Sequence, residues 1–483
     1  MNWPIVLFIN GALLTAIGGL MCLPLFLEFC FRAPLPVSDF LLPISGCIFI
    51  GLSLFFANKQ SKPLKIGTTD AFLLTSLAWL LLPVFAGLPF YCCKPLNLSF
   101  IDSWYEGASA LTTTGCTAVS DISAMPRWVV TWRLILSYVG GVGIILMGII
   151  IFPILRIGGM QLFRAESSDQ DEKLMPSVSQ ISIWIVGVYS GLIVVSSMLL
   201  GLTGMTLQDS IIYAVSTIST CGLMTPTDIR SLNNVWSELI LILSMILGGS
   251  SLTLFVKAIK GNVRVLTTDR QVHGYLKVLL FFSMVAVFFR WYNSDLTFFD
   301  GLREGIFNSV SFITTTGLFN SRFDTWGTFP VVLFSIMSVI GGCTGSTSGG
   351  IKIFRFQILF ACARTHVLQM RRPHGVFVAT YNNQRITESV AISILLFIAL
   401  YVFSVGGATL LLTMFGYEFT SAISASIAAI GNVGVGVGQI AGIDSVNADI
   451  LPGAKVVLIA CMVLGRLELM TLLTLLIPSF WKR

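Results

Sequence analysis

The chain contains about ten apolar runs of roughly 20 residues, the length that crosses ~30 Å of hydrocarbon as a helix rising 1.5 Å per residue. They cover approximately 3–27, 38–57, 69–91, 128–152, 181–202, 235–256, 275–291, 329–363, 389–415 and 452–478. Lipid admits only backbone whose polar groups are satisfied internally, so a chain patterned this way is expected to be an all-α polytopic membrane protein. Composition agrees: of 483 residues, 55% are hydrophobic and 11% charged, against roughly 25% charged in a soluble domain. That excludes a soluble enzyme. Ten cysteines without a CxxC pair, most inside apolar runs, give neither a disulfide framework nor a zinc site. The first run does not read as a cleaved signal peptide, because no Lys or Arg precedes Arg32 and the A-x-A pattern is missing.

The net charge of +6 says less than where the charges lie. If loops alternate sides from an inside N-terminus, segments 58–68, 153–180, 257–277, 352–388 and 482–483 carry 19 of the 29 Lys and Arg, and the opposite side carries eight. The positive-inside rule then puts both termini in the cytoplasm, and nucleic acid is not an expected partner. The basic loops 257–277 and 352–388 are either a docking surface for a regulator or simply meet anionic lipid.

Between several spans lie stretches too short to cross, each ending at a glycine: IDSWYEGASALTTTG, LQDSIIYAVSTISTCG, FFDGLREGIFNSVSFITTTG and YEFTSAISASIAAIGNVG. Aligned on Gly115, Gly222, Gly317 and Gly434, they form an internal repeat with spacings of 107, 95 and 117 residues. Four residues before each glycine stands an aliphatic side chain (Leu111, Ile218, Ile313, Ile430), and six before a small one (Ser109, Ser216, Ser311, Ala428). Thirteen before stand Asp102, Asp209, Glu304 and Ser421, whose acids suit helix caps. Each repeat reads as span, short helix, glycine-containing loop, span. With an even number of crossings per repeat, all four point the same way and can surround one axis. The expected divisions are an N-terminal two-helix appendage at 1–68 and pore repeats at 69–180, 181–273, 274–387 and 388–483.

A short helix of about ten residues stops near mid-membrane with its carbonyl end, carrying about half a negative charge, toward the centre. Glycine reaches positive φ and lets successive carbonyls turn to one axis. Small hydroxyl residues then pack behind them. The candidate cation ligands are therefore Thr112, Thr113, Thr114 and Gly115; Ser219, Thr220, Cys221 and Gly222; Thr314, Thr315, Thr316 and Gly317; and Gly431, Asn432, Val433 and Gly434. Four such loops would form a ring of backbone oxygens able to replace the water shell of K⁺. The alternative is that these Thr and Gly residues only pack helices in a bundle without transport.

The run 329–363 with Arg364 would measure about 54 Å as one helix and should break. Its centre, Gly341, Gly342, Cys343, Thr344, Gly345, Ser346, Thr347, Ser348, Gly349 and Gly350, is the place. A polar loop at that depth needs a water path, which the pore below the loops would provide; the alternative is a kink for packing. A phosphate cradle is excluded, since the preceding strand and the Gly-Lys-Ser/Thr ending are missing. Arg466 sits near the middle of the last run; it either meters cations beside this loop together with Lys352 or pairs with an acid. His273, His366 and His374 lie in basic loops without ligand-spaced neighbours, and no nucleophile–base or acid pair marks an enzymatic site.

ALTTTG at Gly115, ITTTG at Gly317, AIGNVGVGVG around Gly434, GGCTGSTSGGIK at 341–352 and GRLE at 465–468 together resemble the TrkH-type subunits of bacterial potassium uptake systems, in the Trk/Ktr/HKT superfamily. The resemblance covers nearly the whole chain. It implies four pore repeats plus two N-terminal spans, a homodimer in the bacterial inner membrane, and selectivity for K⁺ over Na⁺ with Rb⁺ as surrogate. It also implies gating by the intramembrane loop, including Gly341, Gly342, Gly345, Ser346, Thr347, Gly349, Gly350 and Lys352. A cytoplasmic nucleotide-binding partner of TrkA type is implied as well, this chain binding no cofactor itself. Glycine at all four filter positions fits K⁺, whereas sodium-selective relatives carry serine at the first; a sodium-permeable relative is the alternative. Cys221 departs from the pattern and leaves the lining of the second loop open.

Overall fold

The computed structural model describes the chain except residues 33, 35, 60–66, 120–121, 123–124, 151–177, 224–233, 295, 383, 443–449, 476 and 482–483. The basic stretches within 58–68 and 153–180, and the terminal Lys482 and Arg483, therefore lie largely or wholly outside the described residues. Among the described residues, seven helices are long and apolar enough to cross a membrane: Trp3–Cys30, Val37–Ala57, Thr68–Cys92, Arg127–Gly148, Gln180–Leu202, Arg270–Tyr292 and Glu388–Met414. An eighth, Val235–Gly248 with Leu252–Ile259, is bent by 93° at its break. Among the described residues the β-structure is one two-residue pair, Thr380–Tyr381 with Gln384–Arg385, and an isolated bridge.

Seven of the ten apolar runs are thus helices of spanning length, and the other three are interrupted. The break expected in 329–363 is present, between Thr328–Val339 and Ile353–Arg371. Those in 235–256 and 452–478 were not expected. The latter run ends its first helix at Arg466, and positive φ at Glu468 (54°) and Leu469 (52°) precedes the next helix, Met470–Leu475. Arg466 is accordingly a buried helix-terminal residue, not a mid-span one.

The chain forms two compact units. The first comprises Met1–Gly141, Cys221–Leu232 and Gly406–Arg483; the second comprises Val142–Thr220 and Asn233–Val405. In the first, the short helices Phe100–Leu111 and Phe419–Ile430 both pack against Pro452–Arg466, and the former also against Thr68–Cys92. In the second, Leu207–Ile218 packs against Val178–Leu202 and Val235–Gly248. There Phe298–Ile313 packs against Arg270–Tyr292, Val235–Gly248 and Thr328–Val339. All four short helices end on the aliphatic residue four before the repeat glycine.

The starts of three of them follow side-chain capping chemistry, with one correction, while the fourth, after Glu418, has no side-chain cap. Asp102 and Asp209 stand at the third helical position and receive the caps Ser99 and Thr206, whose hydroxyls accept the acids' own N–H at 3.2 and 3.1 Å. The third helix begins a turn earlier, capped by Thr297 on the N–H of Asp300 at 3.3 Å. Glu304 is therefore not a cap. It pairs with Arg290 at 2.7 Å. Two further acids are also neutralised: Arg303 grips both oxygens of Glu238 at 2.7 and 2.9 Å, and Lys455 meets Asp102. Pairing is what lets a charge remain in an apolar interior.

One packing device recurs in three repeats. A Cβ built on Gly140 or Gly465 would overlap the carbonyl oxygen of Leu111 or Ile430, and one on Gly248 would come 2.8 Å from that of Ile218. Each of these carbonyls belongs to the last residue of a short helix, so the following span can approach it only because it has no side chain there. Gly140→Ala is expected to lower stability by about 1–3 kcal/mol through overpacking. Gly143→Ala, on the same helix with open space around its Cβ, should be neutral or slightly stabilising. Thermal unfolding of the two variants in detergent checks the difference.

Candidate functional site

After each short helix the backbone takes the same course. The residue three before the glycine (Thr112, Ser219, Thr314, Gly431) is right-handed, with φ of −78°, −77°, −76° and −72°. The next (Thr113, Thr220, Thr315, Asn432) has φ of 52°, 50°, 59° and 52°. The glycines themselves have φ of 88°, 70°, 77° and 81°. The N–H groups of Thr114, Thr316 and Val433 reach back to the carbonyls of Ser109, Ser311 and Ala428 at 2.9, 2.8 and 2.8 Å. Those of Thr113, Thr315 and Asn432 bond Ala110, Phe312 and Ala429 at 3.2, 3.1 and 3.2 Å. This is the Schellman way of closing a helix.

Two chemical consequences follow. The amides just beyond the helix are spent on its end, so what the loop offers a ligand is carbonyl oxygen, next to the negative end of a helix dipole. Alternating signs of φ also turn successive carbonyls to one side instead of to opposite sides as in a strand. The left-handed position is usually Gly or Asn, and a β-branched threonine there is strained by about 1–3 kcal/mol. The surroundings hold it. Asn432 donates to Thr114 Oγ1 at 2.9 Å and to the Met462 carbonyl at 3.0 Å, and Thr315 Oγ1 accepts from Gly349 N at 2.7 Å.

In the first unit the loops meet through their backbones. A Cβ on Gly115 would overlap the Cys221 carbonyl oxygen, and one on Gly434 that of Thr114. The oxygen one residue before one loop's glycine thus lies against the glycine of another. Cys221 obeys this rule with its backbone, while its thiol points away to Ser137 Oγ at 3.2 Å. Cys116 donates its thiol to the Gly434 carbonyl at 3.2 Å. Thr112 and Thr114 pair their hydroxyls at 2.7 Å, as Thr314 and Thr316 do at 2.8 Å in the second unit.

In the second unit the segment Gly341–Gly350 is a loop pinched at its base by the parallel bridge Ile340–Ile351. Its backbone fills the break at 248–252: Cys343 N donates to Gly249 O at 2.8 Å, and Leu252 N to Gly345 O at 3.0 Å. Thr344 N donates to Gln271 Oε1 at 2.5 Å. This explains why run 235–256 bends, since the carbonyls freed by the bend are taken up by the loop. Thr347 Oγ1 lies 2.8 Å from Ile218 O, 3.1 Å from Gly248 O and 3.3 Å from Thr220 Oγ1. Gly342 N donates to Ser348 Oγ at 2.7 Å, Ser346 Oγ to Cys343 O at 2.6 Å, and Lys352 Nζ to Ser348 O. Lys352 is buried and tethers the loop to the helix that follows it.

The TrkH family model, described as a cation transport protein, matches residues 38–483. The chain belongs to the TrkH family. It is 34% identical to the Trk system potassium uptake protein TrkI of Halomonas elongata over 87% of this chain and 86% of that protein. It is 30% identical to TrkH of Vibrio parahaemolyticus over the full length of both. The crystal structure of the potassium transporter TrkH from Vibrio parahaemolyticus superimposes with a TM-score of 0.90, at 27% identity and complete coverage of both chains.

Within this TrkH-family chain the structure brings Thr114, Gly115, Cys221, Asn432 and Gly434 together in one unit, and Thr220, Thr315, Thr347, Ser348, Gly349 and Lys352 in the other. Sequence reasoning missed the packing role of Gly140, Gly248 and Gly465, which follow their loop glycines by 25, 26 and 31 residues. It also missed Gln271, whose position carries no repeat signal. Thr347→Val removes the hydroxyl that bonds two carbonyls. Hydrogen exchange of peptides covering 340–352 is expected to accelerate roughly tenfold, the equivalent of about one hydrogen bond.

Proposed function

We propose that this chain carries K⁺ across the bacterial inner membrane, with Thr112–Gly115, Ser219–Gly222, Thr314–Gly317 and Gly431–Gly434 as one selectivity filter of backbone oxygens. The observation that carries the reading is the conformation repeated in all four loops, right-handed, left-handed and then glycine at positive φ. Relatives called potassium uptake proteins support K⁺ as the ion. A cation entering such a filter exchanges water for carbonyl oxygens and gains from the helix ends aimed at it. Membrane potential supplies ~2.3 kcal/mol per charge per 100 mV for inward movement.

Gly341–Gly350 is the proposed gate, with Lys352 as its tether and Arg466 as a second basic group controlling flux. The gate opens when a cytoplasmic nucleotide-binding partner of TrkA type engages the basic segments 257–277 and 352–388. Both termini are cytoplasmic in this reading, and the working assembly is a homodimer in which each chain has its own pore.

The test is growth at low K⁺ of cells lacking K⁺ uptake, expressing the chain with a regulator, together with Rb⁺ flux in proteoliposomes. Wild type is expected to support both; growth supported only by high Na⁺ overturns the K⁺ assignment, and absence of flux overturns transport. Gly115→Ser places a Cβ against the Cys221 carbonyl at φ of 88°. It should lower the K⁺/Na⁺ permeability ratio by about tenfold or more. An unchanged ratio removes Gly115 from the filter. Arg466→Ala should alter flux, and identical flux in wild type and variant ends its assigned role.

A further inference from the structure

We infer that Glu106, held by Arg133, is a positioning residue that sets ion discrimination at the first loop; the inference rests on the filter reading above. Glu106 lies on Phe100–Leu111, nine residues before Gly115, with its side chain 1% exposed. Its Oε1 accepts from Thr117 Oγ1 at 2.5 Å and from Ala118 N at 2.6 Å. Its Oε2 lies 3.1 Å from Arg133 Nε, a contact of charges off the hydrogen-bond axis. Arg133 is 5% exposed in its side chain and also points a guanidinium nitrogen at Met125 sulfur, 3.4 Å away.

A buried carboxylate paired with a buried guanidinium is a costly way to fill space. Here both Oε1 contacts go to the two residues that lead the chain away from the filter glycine. Charge-assisted bonds of this length are stiffer than neutral ones. Cys116, between Gly115 and Thr117, donates its thiol to the Gly434 carbonyl. The position of this limb therefore bears on two loops of the first unit. K⁺ and Na⁺ differ in radius by less than a bond length, so a sub-ångström drift of the limb is enough to degrade a site built to fit one of them.

Two of the other three repeats make a similar tie from the short helix through a neutral side chain. Asn308, nine before Gly317, donates to Asn320 Oδ1 at 3.1 Å and lies 2.9 Å from Ser321 Oγ. Ser424, ten before Gly434, accepts from Val437 N at 2.7 Å. Residue 118, residue 320 and residue 437 all stand three past their glycines, so a tie at this register recurs in three repeats; Asn320 also donates to Glu238, which Arg303 pairs, whereas in the first loop the ion-paired carboxylate on the short helix makes the tie itself.

The experiment measures reversal potentials of the full chain in proteoliposomes under K⁺/Na⁺ gradients, with thermal midpoints alongside. Glu106→Gln is expected to lower the K⁺/Na⁺ ratio by roughly threefold to tenfold. Glu106→Asp, which keeps the charge, should retain more of the ratio than Glu106→Gln. Thr117→Val leaves the ion pair in place, should lower the ratio by less, and decides the matter if Glu106→Gln does not fold. A wild-type ratio in folded Glu106→Gln, or in Thr117→Val where that variant decides, while Gly115→Ser relaxes selectivity, overturns the positioning role alone. An unchanged ratio in Gly115→Ser overturns the filter reading and this inference with it.

Discussion

A helix that stops within a membrane leaves its last carbonyls without partners, and lipid supplies none. Four short helices in this chain face that problem and turn the chain left-handed just beyond the helix, and in three of them two amides bend back onto the helix end. The remaining loop carbonyls are then free of the helix and close to its negative pole. In the proposed filter, chain closure and cation binding are the same geometric event. The approach of the following span depends on it as well, because Gly140, Gly248 and Gly465 fit only over a carbonyl that has stayed in its place.

Much of this was legible in the sequence. The glycines align, the helices end on the aliphatic residue four before them, and the longest apolar run breaks where its glycines cluster. The left-handed turn was not legible, because threonine stands there three times and threonine disfavours positive φ; the conformation is imposed by tertiary bonds such as Gly349 N to Thr315 Oγ1. The bend at 248–252 was hidden for a related reason. Its run has an ordinary spanning length, and what breaks it is the loop 343–347, about a hundred residues further on, that satisfies the opened backbone. Glu304 looked like Asp102 and Asp209 by register, but one extra turn at the start of its helix gave the cap to Thr297.

Charge follows the same division of labour. Asp102, Glu106 and Glu304 on the short helices are paired with Lys455, Arg133 and Arg290, and Arg303 of the third short helix pairs with Glu238 of a neighbouring span, so these pairs lock helices and limbs in place and add little net field. In the proposed filter, discrimination between monovalent cations is left to uncharged oxygens whose spacing those pairs would keep. A carboxylate exposed to the ion path would attract divalent and monovalent cations alike, which is a poor basis for choosing K⁺.

The loop 341–350 shares bonds with the residues it is proposed to gate. Thr315 is kept left-handed by Gly349 N, and Thr220 sits against Thr347, which also covers the Ile218 carbonyl. Departure of the loop removes those contacts together, exposes a helix-end carbonyl and lets two strained threonines relax, each by about 1–3 kcal/mol. In the proposed reading, the conformation of the filter residues and the position of the gate are then two ends of one equilibrium. A cation held by the carbonyls at Thr220 and Thr315 favours the conformation that also holds the loop, and by linkage the loop favours that cation to the same degree.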